Sequence, residues 1–216
     1  VISNIVMRDV GTPMAILRGN RDRCSVGAPG PLQSIRISNM IASGGKLPSV
    51  IAGLPNQPVT GITIDGMSVS MGASAAGPRA LDTIPEHPTD YPQPTMFGPL
   101  PAYGLFLRHV TGIRLRDVQL QPSPDEQRAA IVADDVAALR LLDYEDRCGN
   151  SPTRLWLKNV RDAIVEVMGT MPLPQHCYRI EGQNTANLVF LSKGPALDRN
   201  RVLDLDATVP PGTIHF

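Results

Sequence analysis

Apolar residues along this chain recur at every second position in short bursts, and each burst stops at a small, turn-prone residue. Seven bursts share the pattern: IVMRD (5–9), IRISN (35–39), ITIDG (62–66), IRLRD (113–117), LRLLD (139–143), VEVMG (165–169) and LVFLS (188–192). Alternation with period two predicts a strand with one buried face. The closing residues are Asp9, Asn39, Gly66, Asp117, Asp143, Gly169 and Ser192, types that accept turn or left-handed backbone, so they form a turn column. Successive bursts begin 30, 27, 51, 26, 26 and 23 residues apart. The double-length step contains the segment 72–103, a Pro- and Gly-rich insertion that breaks the alternation.

In the later repeats a second strand precedes the burst: GLFLRHV (104–110), AIVADDV (130–136), RLWLKNV (154–160) and CYRIEGQ (177–183). Its apolar pairs, Leu105/Leu107, Ile131/Ala133, Leu155/Leu157 and Tyr178/Ile180, step by 26, 24 and 23 residues. A third short strand fits the remainder, for example around Met14–Leu17 or Ala196–Leu203. Two or three short strands with corners every 23–30 residues predict an all-β fold, a right-handed single-stranded parallel β-helix. It has about seven to eight coils in one domain over 1–216, with 72–103 as a long loop. A leucine-rich repeat would need a fixed LxxLxLxxN frame, and a Greek-key sandwich has no reason to keep turn residues in register.

Stacking places equivalent residues about 4.8 Å apart on neighbouring strands. Arg108, Asp134, Lys158 and Glu181 would then form a ladder of alternating sign, with each opposite pair worth roughly 0.2–1 kcal/mol. The same stacking would set Arg36, Thr63, Arg114 and Arg140 along an outer strip.

Composition narrows the function classes. Lys+Arg and Asp+Glu are both 20, giving zero net charge, which argues against a nucleic-acid scaffold held by bulk electrostatics. No apolar run reaches about 18 residues, so no membrane-spanning helix is expected. The chain opens VISNIVMRDV without a leader pattern. Gly and Pro together make 40 residues, a density suited to turns rather than long helices. Aromatics are only 4%, so the core must come from aliphatic residues and Met. Cys24, Cys148 and Cys177 are odd in number, far apart and without a CxxC pair. Burial as free thiols fits better than a disulfide framework or zinc site, with at most one bridge possible.

The segments NIVMRDVGTPMAI, SIRISNMIASGG, IAGLPNQPVTGITIDGMSVS, FGPLPAYGLFLRHVTGIRLRDVQLQP and RAAIVADDV resemble the C-terminal half of glycoside hydrolase family 28, the polygalacturonases and rhamnogalacturonan-active relatives. The resemblance covers nearly the whole chain. It implies a right-handed parallel β-helix, a pectic polysaccharide as partner, hydrolysis with inversion, no cofactor, and an extracellular or periplasmic location. That family's catalytic region carries Asn-Thr-Asp, Asp-Asp, Gly-His-Gly and Arg-Ile-Lys. Here no His is flanked by glycines, Asn-Thr-Asp is absent, and Arg36–Ile37 and Arg179–Ile180 are followed by Ser and Glu. The expectation is therefore a C-terminal fragment that is inactive alone, with no catalytic residue assigned. An uncapped first coil would invite self-association.

Asp134–Asp135 is the tempting acid–base pair, yet neighbours on a strand point to opposite faces, and a corner pair in the ladder is the simpler reading. Candidate substrate contacts are Arg108 and His109, which could meet a galacturonate carboxylate, and the insertion aromatics Tyr91, Phe97 and Tyr103, whose rings suit sugar faces. Packing at a strand end and shielding of the scaffold are the competing readings. Trp156 is either covered by a loop or faces sugar. No HxH or HExxH occurs, and Asp204 and Asp206 are read as solvent-facing, so no metal site is assigned. Two alternatives remain: a non-catalytic β-solenoid for polysaccharide binding or spacing, and a polysaccharide lyase on the same architecture.

Overall fold

The computed structural model describes residues 1–20, 30–72, 80–146, 153–167, 175–194 and 196–216. Cys24, Cys148 and Gly169 fall outside the described residues. Thirteen strands form one sheet: β1 (Ile2–Arg8), β2 (Ala15–Leu17), β3 (Gln33–Gly45), β4 (Ser49–Ala52), β5 (Val59–Met71), β6 (Ala102–Gln121), β7 (Ala129–Asp146), β8 (Leu155–Lys158), β9 (Arg161–Val167), β10 (Tyr178–Glu181), β11 (Ala186–Ser192), β12 (Leu203–Leu205) and β13 (Ile214–His215). Every pairing between them is parallel. Among the described residues the only α-helix is Arg199–Val202. The molecule is nearly all-β with a large parallel sheet.

The pairing resolves into three columns. The first runs through β2, β4, residues 105–108 of β6, 131–134 of β7, β8, β10 and β12. The second joins residues 35–38 of β3, 62–65 of β5, 113–116 of β6 and 139–142 of β7 to β9, β11 and β13. The third stacks Ile5–Arg8, Met40–Ser43, Met67–Ser70 and Val118–Gln121. This third strand follows directly after the corner residue. The Met14–Leu17 and Ala196–Leu203 regions feed β2 and β12 of the first column instead.

Strands β3, β5, β6 and β7 are long because they bend through corners without breaking the ladder. Asn39 (φ 54°), Gly66 (φ 72°), Asp117 (φ 50°) and Asp143 (φ 49°) stand on successive strands at one corner, all left-handed. Asp9 does not belong to this set. Its place is taken by Asn4 (φ 57°), which lies opposite Asn39 and accepts its Nδ2–H at 3.0 Å. Asp9 (φ 53°) turns the next corner, beside Gly44. The 165–169 burst is likewise two residues out of step, because Ala163 pairs with Leu188 while Val165 stands opposite Leu141. A second set of left-handed residues, Ser34, Gly61, Gly112, Ala138, Asp162 and Asn187, precedes the second column. Asn187 Nδ2 donates to Asp162 Oδ1 at 2.8 Å there.

Inward side chains of all three columns meet in one core. Ile62, Ile64, Leu105, Leu107, Ile113, Leu115, Val118 and Leu120 are at most 1% exposed. Each such side chain contributes about 1.5–3 kcal/mol. Tyr103 and the free thiol of Cys177 lie in the same core. A second cluster forms outside the first column. There Leu81, Ile84, Phe97 and Leu100 of the insertion cover Val50, Ala52, Phe106, Val132 and Trp156. The insertion therefore closes over a sheet face that would otherwise present large apolar side chains to water.

Candidate functional site

A cluster of charged side chains lies where the insertion meets the end of the first column. Arg108 ends the first-column segment of β6 and His109 follows at a left-handed corner (φ 50°). On the next strand Asp134 stands opposite Arg108 and Asp135 (φ 52°) opposite His109. The corner explains how adjacent residues serve one cluster, since an unbent strand would send them to opposite faces.

Arg108 is 8% exposed. Its guanidinium lies 3.1 Å from Glu86 Oε1 and 3.1 Å from Asp134 Oδ2, and it donates to the Ile84 carbonyl at 2.8 Å. His109 places Nδ1 2.7 Å from Asp135 Oδ2 and Nε2 3.1 Å from Glu86 Oε2. Lys158 reaches Asp82 of the insertion, and Arg161 lies 3.6 Å from Asp135. Three carboxylates from the insertion and the sheet are thus interleaved with Arg108 and His109.

The electrostatics follow this geometry. Burial pushes the Asp134 carboxyl above its ordinary range, with Arg108 and Lys158 opposing. Burial also works against the Glu86 charge, but His109 and Arg108 prevail and hold Glu86 low. For His109 burial disfavours the imidazolium, while the hydrogen bonds to Glu86 and Asp135 outweigh it and raise its pKa. The cluster is an electrostatic clasp that pins the insertion through Ile84 and Glu86.

The sequence-derived candidates divide accordingly. Arg108 and His109 come together, but both are buried and face protein carboxylates, Glu86 and Asp134 for Arg108 and Glu86 and Asp135 for His109, so neither is open to a galacturonate carboxylate. Phe97 (3% exposed) and Tyr103 (1%) are buried and present no ring to a sugar. Phe97 packs on Phe106 with ring centres 6.3 Å apart. Tyr91 is exposed at 61%. Trp156 is buried under the insertion at 7% exposure, with the Arg179 guanidinium 4.3 Å from its ring centre.

The ladder residues Arg108, Asp134, Lys158 and Glu181 do stand opposite one another. Among them only Arg108–Asp134 is a close ion pair, because Lys158 turns to Asp82 and Glu181 to Arg179. Asp204 and Asp206 are exposed. Glu86 and Asp82 were invisible as partners, being polar residues in a proline-rich stretch. The Glu126–Arg128 pair was also missed. It is 2% and 1% exposed, joined at 2.8 and 2.7 Å, and anchors the chain just before β7. Opposite charges two residues apart, immediately before the apolar AAIV run, were its only signal.

Further cavities follow the second and third columns. Two of about 260 and 180 Å³ share Ile41, Ser68 and Gln119. A third of about 150 Å³ is lined by Arg36, Thr63, Asp65, Arg114 and Arg116. Among the described residues no three His, Cys, Asp or Glu side chains gather in a metal-binding arrangement. No protein-family model, curated protein or solved structure matches the chain.

Proposed function

We propose that the parallel columns wind as one right-handed parallel β-helix of about seven to eight coils. In this reading the chain is the C-terminal part of a pectin-degrading glycoside hydrolase of the family 28 type, acting outside the cytoplasm. The substrate class is a galacturonan-type polysaccharide, cleaved with inversion by the complete enzyme. The present chain supplies scaffold and binding surface and does not hydrolyse by itself.

The stretch LPAYGLFLRHV (100–110) carries the reading. It belongs to the segments that resemble the family, and it is also the stretch that seats the insertion through Arg108 and His109. Inverting hydrolysis needs two carboxyl groups roughly 6.5–9.5 Å apart with a water between them. The buried carboxylates among the described residues, Glu126 and Asp134, are instead tied to Arg128 and Arg108. That observation also supports a second reading, a non-catalytic module that binds or spaces polysaccharide.

Affinity electrophoresis in polygalacturonate gels, run beside a reducing-sugar assay, tests the first reading. Retardation without sugar release is expected. Release above the blank overturns the inactivity of this chain, and migration unchanged by the polymer overturns the polysaccharide assignment. The coding sequence before Val1 separates the two readings. An in-frame segment with Asn-Thr-Asp, Asp-Asp, Gly-His-Gly and Arg-Ile-Lys favours the hydrolase, and an unrelated domain favours the module.

A further inference from the structure

The outer face of the second column carries a charge arrangement that the fold does not need. Arg36, Thr63, Arg114 and Arg140 stand opposite one another on four successive strands, and Asp65 and Arg116 pair in the neighbouring row. Like charges directly opposite on adjacent strands destabilise a sheet, so Arg114 beside Arg140 is a cost. Arg140 is tied down, donating to the Leu139 and Asp162 carbonyls at 3.0 and 2.6 Å. Arg114 is exposed and engages no acceptor among the described residues. It faces the cavity of about 150 Å³ whose lining holds three guanidinium groups and one carboxylate.

That carboxylate shows what the lining accepts. Arg116 grips Asp65 with Nε and Nη2 on separate oxygens, while Arg36 stands 3.9 Å away on the other side. Asp117 lies beyond Arg116 in the next position along the chain, outside the cavity lining. Arg36 and Arg114 are two strand spacings apart, about 9.6 Å, so an extended polymer with a carboxylate on each sugar can meet both in turn. A planar guanidinium fork matches a carboxylate in two parallel hydrogen bonds. Zero net charge on the whole chain argues against a nucleic acid held by general attraction.

We infer that the Arg36–Arg114–Arg116 cavity on the second column is a carboxylate-binding subsite for an extended polyuronate chain. This rests on the polysaccharide reading above and locates it at named residues, away from the clasp.

The test measures binding of polygalacturonate to the intact chain and to Arg114→Thr, Arg36→Thr and Arg199→Thr, by calorimetry and gel retardation. Arg199 lies in the short helix and controls for net charge. Arg114→Thr and Arg36→Thr should each weaken binding about tenfold or more, the loss of one charge-assisted hydrogen bond. Arg199→Thr should bind like the parent, and fully methyl-esterified pectin should bind the parent no better than it binds Arg114→Thr. Arg114→Thr should also raise the apo melting temperature at low salt, because two like charges no longer stand at opposed positions on adjacent strands. Parental affinity in both Arg114→Thr and Arg36→Thr overturns this subsite while leaving the polysaccharide assignment standing. No binding by the parent overturns both. Tighter, equally Arg114-dependent binding of duplex DNA overturns the polyuronate class.

Discussion

Removing Arg108 is the sharpest probe of the clasp. In Arg108→Met the apolar length of the side chain is retained and the guanidinium is lost. Asp134, 7% exposed, then has no cation at ion-pair distance among the described residues, and the Ile84 carbonyl loses the donor now 2.8 Å from it. Breaking a buried pair by removing one partner costs about 3–5 kcal/mol. For a chain of this size each kcal/mol moves the melting temperature by about 2–4 °C. The penalty depends on pH. Burial already raises the Asp134 pKa, and Arg108 is the largest influence opposing it. In the variant the folded-state pKa climbs further above the ordinary 3.8, so the folded state binds the extra proton and stability falls as pH rises past that value. The loss is greatest at neutral pH and smaller near pH 4. Adding Asp134→Asn removes the stranded charge and should recover much of the loss. Urea denaturation followed by fluorescence suits the assay, because the single tryptophan, Trp156, lies beneath the insertion. A loss below about 1 kcal/mol at pH 7, the same loss at both pH values, or no recovery in the double variant would refute the clasp.

Other outcomes follow from the same geometry. Phe97→Ala should cost about 3–5 kcal/mol and shift Trp156 emission to the red, since Phe97 lies in the cluster that covers it; unchanged emission would contradict a seated insertion. His109, facing Glu86 and Asp135 with Arg108 alongside, has a pKa raised above 6.5. Its contribution is complete below that value and is lost as pH rises through the folded pKa, so His109→Asn should flatten the alkaline limb of a stability–pH curve. Gly182→Ala should destabilise by about 1–3 kcal/mol, because φ is +93° and a Cβ would lie 3.0 Å from the Asn159 backbone nitrogen; parental stability in a melting experiment would contradict that corner.

Much of the strand stacking was legible because the signal is repeated. The first-column pairs from Leu105/Leu107 to Tyr178/Ile180 stand in the register that their spacing implies. The second column at Ile35, Ile62, Ile113 and Leu139 does likewise. Where the reading slipped, period two was the cause. The strands on both sides of a corner alternate, so IVMRD matched the template as well as the true equivalent, Ile2-Ser3-Asn4, which repeats Ile37-Ser38-Asn39. The small Ala163 hid the first buried position of the repeat in β9. The charge ladder followed in register, yet its ion pairs did not, because Asp82 and Arg179 offer nearer partners to Lys158 and Glu181. The aromatics of the insertion were ambiguous for a physical reason: a ring that could stack on sugar can equally cover Phe106 and Trp156. Only the arrangement of the insertion against the sheet distinguishes the two.

Equivalent positions lie directly opposite one another on parallel strands, and cysteine pairing measures this directly. In a background with Cys24, Cys148 and Cys177 replaced by Ala, Ser68→Cys and Gln119→Cys occupy opposed sites on β5 and β6. Parallel stacking at about 4.8 Å falls within the Cα separation of 4.4–6.8 Å that a disulfide requires. Mild oxidation should close this pair within the monomer and leave Ser68→Cys with Gln121→Cys open. Closure of the second pair in preference to the first, or of neither, would contradict the register and the stacked columns built on it.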